Sequence, residues 1–318
     1  MIKIDLITGF LGAGKTTFIR KYAQYLMDQG MNIGILENDL GAINVDMMLL
    51  QDLEGENCEL EMIAGGCDKD SYRRRFRTKL IAMGMSAYDR VLIEPSGIFD
   101  MDDFFDALHE SPLDRWYEIG SVITIIDTNL DKELSPEAEY VLASEAAESG
   151  CVIMSRYEEE LSEAADETQK YIEYALKNIH CKRTFEEDEI IKKNWDDLTE
   201  HDFRKIMEAG YVTTAYEKMY IEQDDIFQSL FLMDSQITLD KVRFAAKKIF
   251  SDATCGNVCR IKGFVRENDT WMEVNATKQK CTWQPVNAGQ DVLIIIGEKL
   301  SEEKIKRYLN EAEKTESS

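Results

Sequence analysis

Residues 9–16 read GFLGAGKT. The spacing fits G-x-x-x-x-G-K-[ST], in which glycines let the backbone curl so that its N–H groups point at a phosphate. The flanks agree. An apolar run, IKIDLI (2–7), leads into it as a strand. The stretch from Lys15 to Gln29 leaves it as an amphipathic helix, with Phe18, Tyr22, Tyr25 and Leu26 on one face and Gly30 as its stop. In such a loop Gly9, Gly12, Ala13 and Gly14 shape the cradle and Lys15, Thr16 and Thr17 open the helix. The helix N-terminus favours an anion. Lys15 reaches the β- and γ-phosphates, and the Thr16 hydroxyl ligates Mg²⁺. A glycine-rich turn with no ligand is the plain alternative, and the complete pattern with its flanks disfavours it.

Outward from the loop, short apolar runs alternate with helical periods. NIGILE (32–37), CELEMI (58–63), DRVLIE (89–94), SVITIID (121–127) and GCVIMS (150–155) read as strands, and helices are expected over about 70–83 and 136–148. That alternation predicts an α/β fold: a mostly parallel sheet with helices on both faces. Residues 156–210 turn acidic, and 160–179 carries a helical stripe of Leu161, Ala164, Ala165, Thr168, Ile172 and Leu176. From about 212 the pattern changes to VTTAYEK as a strand, a helix near 239–250, then strands in CGNVCRIKGFVREN, TWMEVNA and DVLIIIG and a closing helix. The expected division is a nucleotide-binding domain over 1–210 and a smaller α+β domain over 211–318.

Metal and attacking water need acids. DRVLIE ends in Glu94, which suits an Mg²⁺ contact at the C-terminal end of a strand beside the loop, and Gly97 follows with a backbone N–H for the γ-phosphate. ENDLGAINVD (37–46) also follows a strand, and Asn38, Asp39 and Asp46 would order around the metal as a switch. A solvated strand end and an ordinary turn are the alternatives for Glu94 and Asp39. Both acids are candidates to orient water, beside Lys15 as the charge-neutralising group.

With 61 acidic residues against 37 basic ones, the net charge is −24, which disfavours nucleic acid and anionic membranes as partners. No apolar run approaches the ~18 residues of a membrane span. The seven cysteines are odd in number and irregular in spacing, so no disulfide framework is implied and a reducing cytoplasm is expected. Cys255 and Cys259 are four apart at the start of a strand, where that spacing covers ~13 Å, too far for one ion. Tyr72-Arg73-Arg74-Arg75-Phe76-Arg77 is a basic cluster that reads either as a solvated helix face or as a docking patch for an acidic partner.

GFLGAGKTT, ENDLG…VD, GGC, LIEPSG and the closing KGFV…LIIIGEKLSEEKIKRYL together resemble the CobW-like P-loop GTPases, relatives of the GTPases that insert nickel into hydrogenase and urease. The resemblance includes Arg260, Lys262, Gly263 and Phe264, then Gly297, Leu300 and Glu303. It implies GTP and Mg²⁺ as cofactors, slow hydrolysis, and a metalloprotein or corrinoid-protein client. It places Lys15 and Thr16 at the phosphate and Mg²⁺, Glu94 in the second nucleotide motif, and Asn38, Asp39 and Asp46 on the first switch. Two motifs depart from it. Where the family has C-x-C-C this chain has Cys67-Asp68-Lys69-Asp70, leaving Cys67 as a possible lone thiolate for a transition metal, or as part of a helix-entry turn. Where the family has N-K-x-D this chain has Ser155-Arg156-Tyr157-Glu158. Arg156 keeps a cation that stacks on a base, and Glu158 keeps a carboxylate one methylene longer. Losing the double acceptor would cost ~2–4 kcal/mol of guanine selectivity, so ATP stays open. A GTP-dependent metallochaperone is the leading expectation. A non-catalytic nucleotide-dependent adaptor and a small-molecule P-loop kinase are the alternatives.

Overall fold

The computed structural model describes residues 1–39, 45–64, 69–95, 101–219, 227–234 and 236–310. The chain divides into two units, Met1–Met219 and Tyr220–Ser318.

The first unit runs β1 (Ile2–Thr8), α1 (Lys15–Asp28), β2 (Ile33–Asp39), α2 (Val45–Leu50), β3 (Cys58–Ala64), α3 (Lys69–Met83), β4 (Arg90–Glu94), α4 (Met101–His109), α5 (Leu113–Trp116), β5 (Tyr117–Asp127), α6 (Pro136–Ala147), β6 (Cys151–Ser155), α7 (Ser162–Asn178), β7 (Ile190–Ile191) and α8 (Glu200–Met207). Among the described residues the strands form a seven-stranded sheet in the order β3-β2-β4-β1-β5-β6-β7. Every pairing in it is parallel. The expected α/β class is therefore the observed one. Strand side chains alternate between two cores, as the period of two demands. Ile7, Ile35, Leu92 and Ile125 face α1 and α8 with Phe18, Tyr22, Leu26 and Phe203. Ile4, Leu6, Leu36 and Ile93 face α3 and α4 with Phe76, Leu80 and Phe104.

Parallel pairing matters for the site because it brings the C-terminal ends of the strands to one edge. Thr8, Glu94, Asp127 and Ser155 end β1, β4, β5 and β6 there, with Asp127 in register beside Ser155. Away from that edge Asp5 is buried with Arg90 and Tyr22. Arg90 donates to Asp5 Oδ1 at 2.6 Å, the Tyr22 hydroxyl donates to Oδ2 at 2.8 Å, and the Ser121 N–H donates to Oδ1 at 2.8 Å.

The second unit contains β8 (Gln228–Met233), α9 (Leu239–Ser251), β9 (Asn257–Glu267), β10 (Thr270–Ala276), β11 (Cys281–Val286), β12 (Val292–Glu298) and α10 (Glu302–Asn310). Its sheet has the order β11-β10-β9-β12-β8 and is antiparallel. Val242, Ile249, Ile305 and Leu309 of the helices close over Ile261, Val265, Val274 and Ile295.

Several expectations change. VTTAYEK is not a strand: residues 212–218 run as irregular chain along the first unit. The Val212 N–H donates to Glu148 O at 3.1 Å and the Glu217 N–H donates to Ile179 O at 2.8 Å. Among the described residues the nearest strand-like pairing is an isolated bridge between Ser149 and Tyr211, just before this segment, which itself joins no sheet. β8 and β11, not read from the sequence, are the two edge strands. The basic cluster on α3 is largely spent within the molecule. Arg73 pairs with Glu110 at 3.1 Å, Arg77 donates to Ser111 O at 2.6 Å, and Phe76 is in the core. Cys255 is buried in a tight turn before β9 and Cys259 is half-buried on the strand.

Candidate functional site

The phosphate loop lies between β1 and α1. Gly9 has φ 137°, a region that L side chains rarely adopt, and a Cβ there would fall on the carbonyl of Ile125 in β5. Gly12 and Gly14 also have positive φ, 78° and 103°. The sequence therefore needs glycine at 9 for two reasons, backbone conformation and close approach. We expect Gly9→Ala to cost about 1–3 kcal/mol from the strained backbone alone, and to distort the cradle above it. Thermal denaturation should show a lower Tm, and nucleotide titration a weakened affinity.

Lys15 opens α1 and is buried. Its ammonium donates to Gly9 O at 2.8 Å and stands 3.9 Å from Glu94 Oε1. The Thr16 hydroxyl donates to Glu94 Oε2 at 3.0 Å. These three side chains thus meet at the strand edge, with Glu94 itself buried on the end of β4. A threonine hydroxyl and a carboxylate are hard oxygen donors of the kind that suit Mg²⁺. Cys67 and Gly97 lie outside the described residues, as do the side chains of Asn38 and Asp39; Asp46 is half-buried at the start of α2. Among the described residues no group of three or more His, Cys, Asp or Glu is placed to hold a metal ion.

The segment after β6 closes the other side of the loop. Ser155 is buried and packs near Gly14, and its hydroxyl makes no hydrogen bond among the described residues. Arg156 has φ 53°, in the left-handed region. One end of its guanidinium donates to Gly12 O at 2.8 Å, and the other forms an ion pair with Asp127. The arginine thereby ties β5 and β6 to the phosphate loop. Glu158 is exposed.

Three residues of this neighbourhood escaped the sequence reading. Asp127 offered the same signal as Glu94, an acid ending an apolar strand. Trp195 offered none. It comes from a distant turn, donates through Nε1 to Met154 O at 3.1 Å, and sets its ring where a Cβ on Gly14 would meet it at 3.2 Å. Glu145 of α6 is fully buried near Thr8 and Gly9, and the inward row Ala138, Val141, Leu142, Glu145, Ala146 could have exposed it.

A strand–glycine loop–helix unit on a parallel sheet, with lysine, hydroxyl and carboxylate at its mouth, defines a P-loop protein. Residues 3–185 match the family described as CobW/HypB/UreG, nucleotide-binding domain, and the chain belongs to that family. It is similar to the zinc chaperone YjiA of Escherichia coli, with 32% identity over 137 residues, 40% of this chain and 40% of that protein. It is also similar to the zinc-regulated GTPase metalloprotein activator 1 of Schizosaccharomyces pombe, with 25% identity over 172 residues, 51% of this chain and 41% of that one. The chain thus spans about two fifths of the length of these relatives. A solved structure of the zinc-bound YjiA GTPase from E. coli aligns over 96% of this chain and 97% of that one, at 15% identity and a TM-score of 0.36.

Proposed function

We propose that this chain is a slow GTPase whose nucleotide state governs delivery of a metal, or assembly of a metallocofactor, into a metalloprotein or corrinoid-protein client. The observation that carries the nucleotide part is the convergence of Lys15, Thr16 and Glu94 at the mouth of the glycine loop. Lys15 would leave Gly9 O for the β- and γ-phosphate oxygens. Thr16 and Glu94, with Asp39, would hold Mg²⁺, which neutralises phosphate charge when bound. Glu94 and Asp39 are the candidates to orient the attacking water. Gly9, Gly12, Ala13, Gly14, Thr17 and Gly97 would supply backbone contacts. Arg156, fixed by Asp127 and Gly12, would set its flat guanidinium against the base, with Ser155 beneath and the Glu158 carboxylate accepting from guanine N–H groups. The metal cargo is a transition metal, and zinc is the one for which the relatives are named. Cys67 would be one ligand, with others supplied beyond the described residues or by the client. A cytoplasmic setting fits the free thiols.

Titrating the metal-stripped protein with GTP and with ATP in Mg²⁺ tests this reading. GTP should bind more tightly by at least about tenfold, the value of one well-made hydrogen bond to a charged acceptor. Equal affinities, or a preference for ATP, would remove the guanine assignment. Binding without turnover would favour an adaptor over an enzyme.

A further inference from the structure

Glu145 stands where a carboxylate is costly. Its residue exposure is 0%, on the inward row of α6. Its backbone carbonyl accepts a hydrogen bond from the Thr124 hydroxyl at 3.0 Å, which fixes α6 on β5. Thr124 is in register beside Thr8, the last residue of β1 before the phosphate loop. The side chain is therefore set behind the loop's entry. The groups against it are the Thr8 hydroxyl, the Gly9 N–H and the charge of Lys15. Neither carboxylate oxygen makes a hydrogen bond of good geometry among the described residues, and neither does the Thr8 hydroxyl. The three neighbours stand close enough to favour the charged form. Burial outweighs them and pushes the carboxyl up to about 7. A buried carboxyl without good hydrogen bonds is expensive to keep as an anion, and cheaper as a neutral acid.

We propose that Glu145 is a positioning residue of the phosphate loop, neutral when nucleotide is bound, so that binding takes up a proton. The inference rests on the nucleotide reading above. The charge that favours an ionised Glu145 is that of Lys15. Phosphates that settle on Lys15 share that charge and add their own negative potential. The carboxyl then holds its proton to higher pH than in the free protein. Because the bound state carries more protons near neutrality, affinity falls as pH rises through that range.

Calorimetric titration of the full chain with Mg²⁺ and a non-hydrolysable GTP analogue tests this. It should be run from about pH 6 to about pH 8.5, in buffers of different ionisation enthalpy. Excess Mg²⁺ keeps the analogue's phosphates ionised throughout. We expect uptake approaching one proton, with affinity falling by at most roughly tenfold per pH unit. Glu145→Gln should abolish the uptake and flatten the profile. A purely structural role would instead shift affinity equally at every pH. If the glutamine variant does not fold, the buffer dependence of the parent decides alone. Nucleotide binding without proton uptake, or a glutamine variant with the parent's profile, overturns this inference only. Failure to bind nucleotide at any pH overturns the nucleotide reading with it.

Discussion

Lys15→Ala is expected to weaken Mg²⁺–GTP binding roughly a hundredfold, about 3 kcal/mol, and to remove hydrolysis. In the structure the ammonium has two neighbours that hold it in place, Gly9 O at 2.8 Å and Glu94 Oε1 at 3.9 Å. When phosphate arrives the ammonium exchanges Gly9 O for phosphate oxygens, and its three donors let it take more than one of them. Alanine removes the charge that offsets the polyphosphate and leaves Glu94 facing it. Like charges would then meet at the mouth of the site, so the loss should exceed that of one neutral hydrogen bond. Lys15→Arg separates charge from shape. The larger fork enters a buried slot, so affinity should recover only partly. Equal binding by parent and alanine variant, measured by titration of the purified proteins, would remove Lys15 from the site and with it the phosphate-loop reading.

The sequence was legible where chemistry and local geometry coincide. GFLGAGKT has a fixed spacing, and a loop that must show its backbone to a phosphate leaves little choice of residue. Of the six strands of the first unit read from the sequence, β1, β2, β4, β5 and β6 are interior strands whose apolar runs stood out. β3 is an edge strand that still carries apolar positions, and each of the six was found within a few residues of its expected bounds. Legibility failed where placement depends on partners far along the chain. β8 and β11 are edge strands, and β11 is only half-buried or exposed and has no continuous apolar run. β8 does carry one, Leu230-Phe231-Leu232-Met233, but its place at the edge beside β12 is set by a partner about sixty residues further on. VTTAYEK had the alternation but joins no sheet among the described residues. In the site, Lys15, Thr16 and Glu94 were readable from motif and strand end, and they do meet. Trp195 was not, because its contact with Gly14 is made only by the fold. Glu145 looked like one more acid in an acidic chain. Only its helical spacing with Ala138, Val141, Leu142 and Ala146 marked it as buried.

Arg90→Met should destabilise the first unit by about 3–5 kcal/mol, more than any surface change, without touching the phosphate loop. Asp5, in the middle of β1, is 0% exposed, and Arg90, the first residue of β4, is 4% exposed. The aspartate is also held by the Tyr22 hydroxyl from α1 and the Ser121 N–H from β5. Arg90 further approaches Met207 O at the end of α8, at 3.5 Å. Methionine fills similar volume but leaves a buried carboxylate without its counter-ion. Tm should fall by roughly 10 °C at neutral pH, given about 2–4 °C per kcal/mol for a unit of this size. The pH dependence has a definite sign. Burial already raises the Asp5 carboxyl above its usual value, against the lowering effects of Arg90, Tyr22 and Ser121. Removing Arg90 raises it further. A carboxyl whose folded value exceeds its unfolded one stabilises the fold when protonated, and that support is lost as pH rises through the folded value. The deficit of Arg90→Met relative to the parent should therefore shrink as pH falls, and be largest at neutral pH and above. Adding Asp5→Leu should recover much of the loss, because replacing both charges removes the orphan. Denaturant melts of the parent and the two variants at acidic and neutral pH would measure this. A deficit independent of pH, or a double variant no better than the single one, would mean that packing rather than charge holds this part of the sheet.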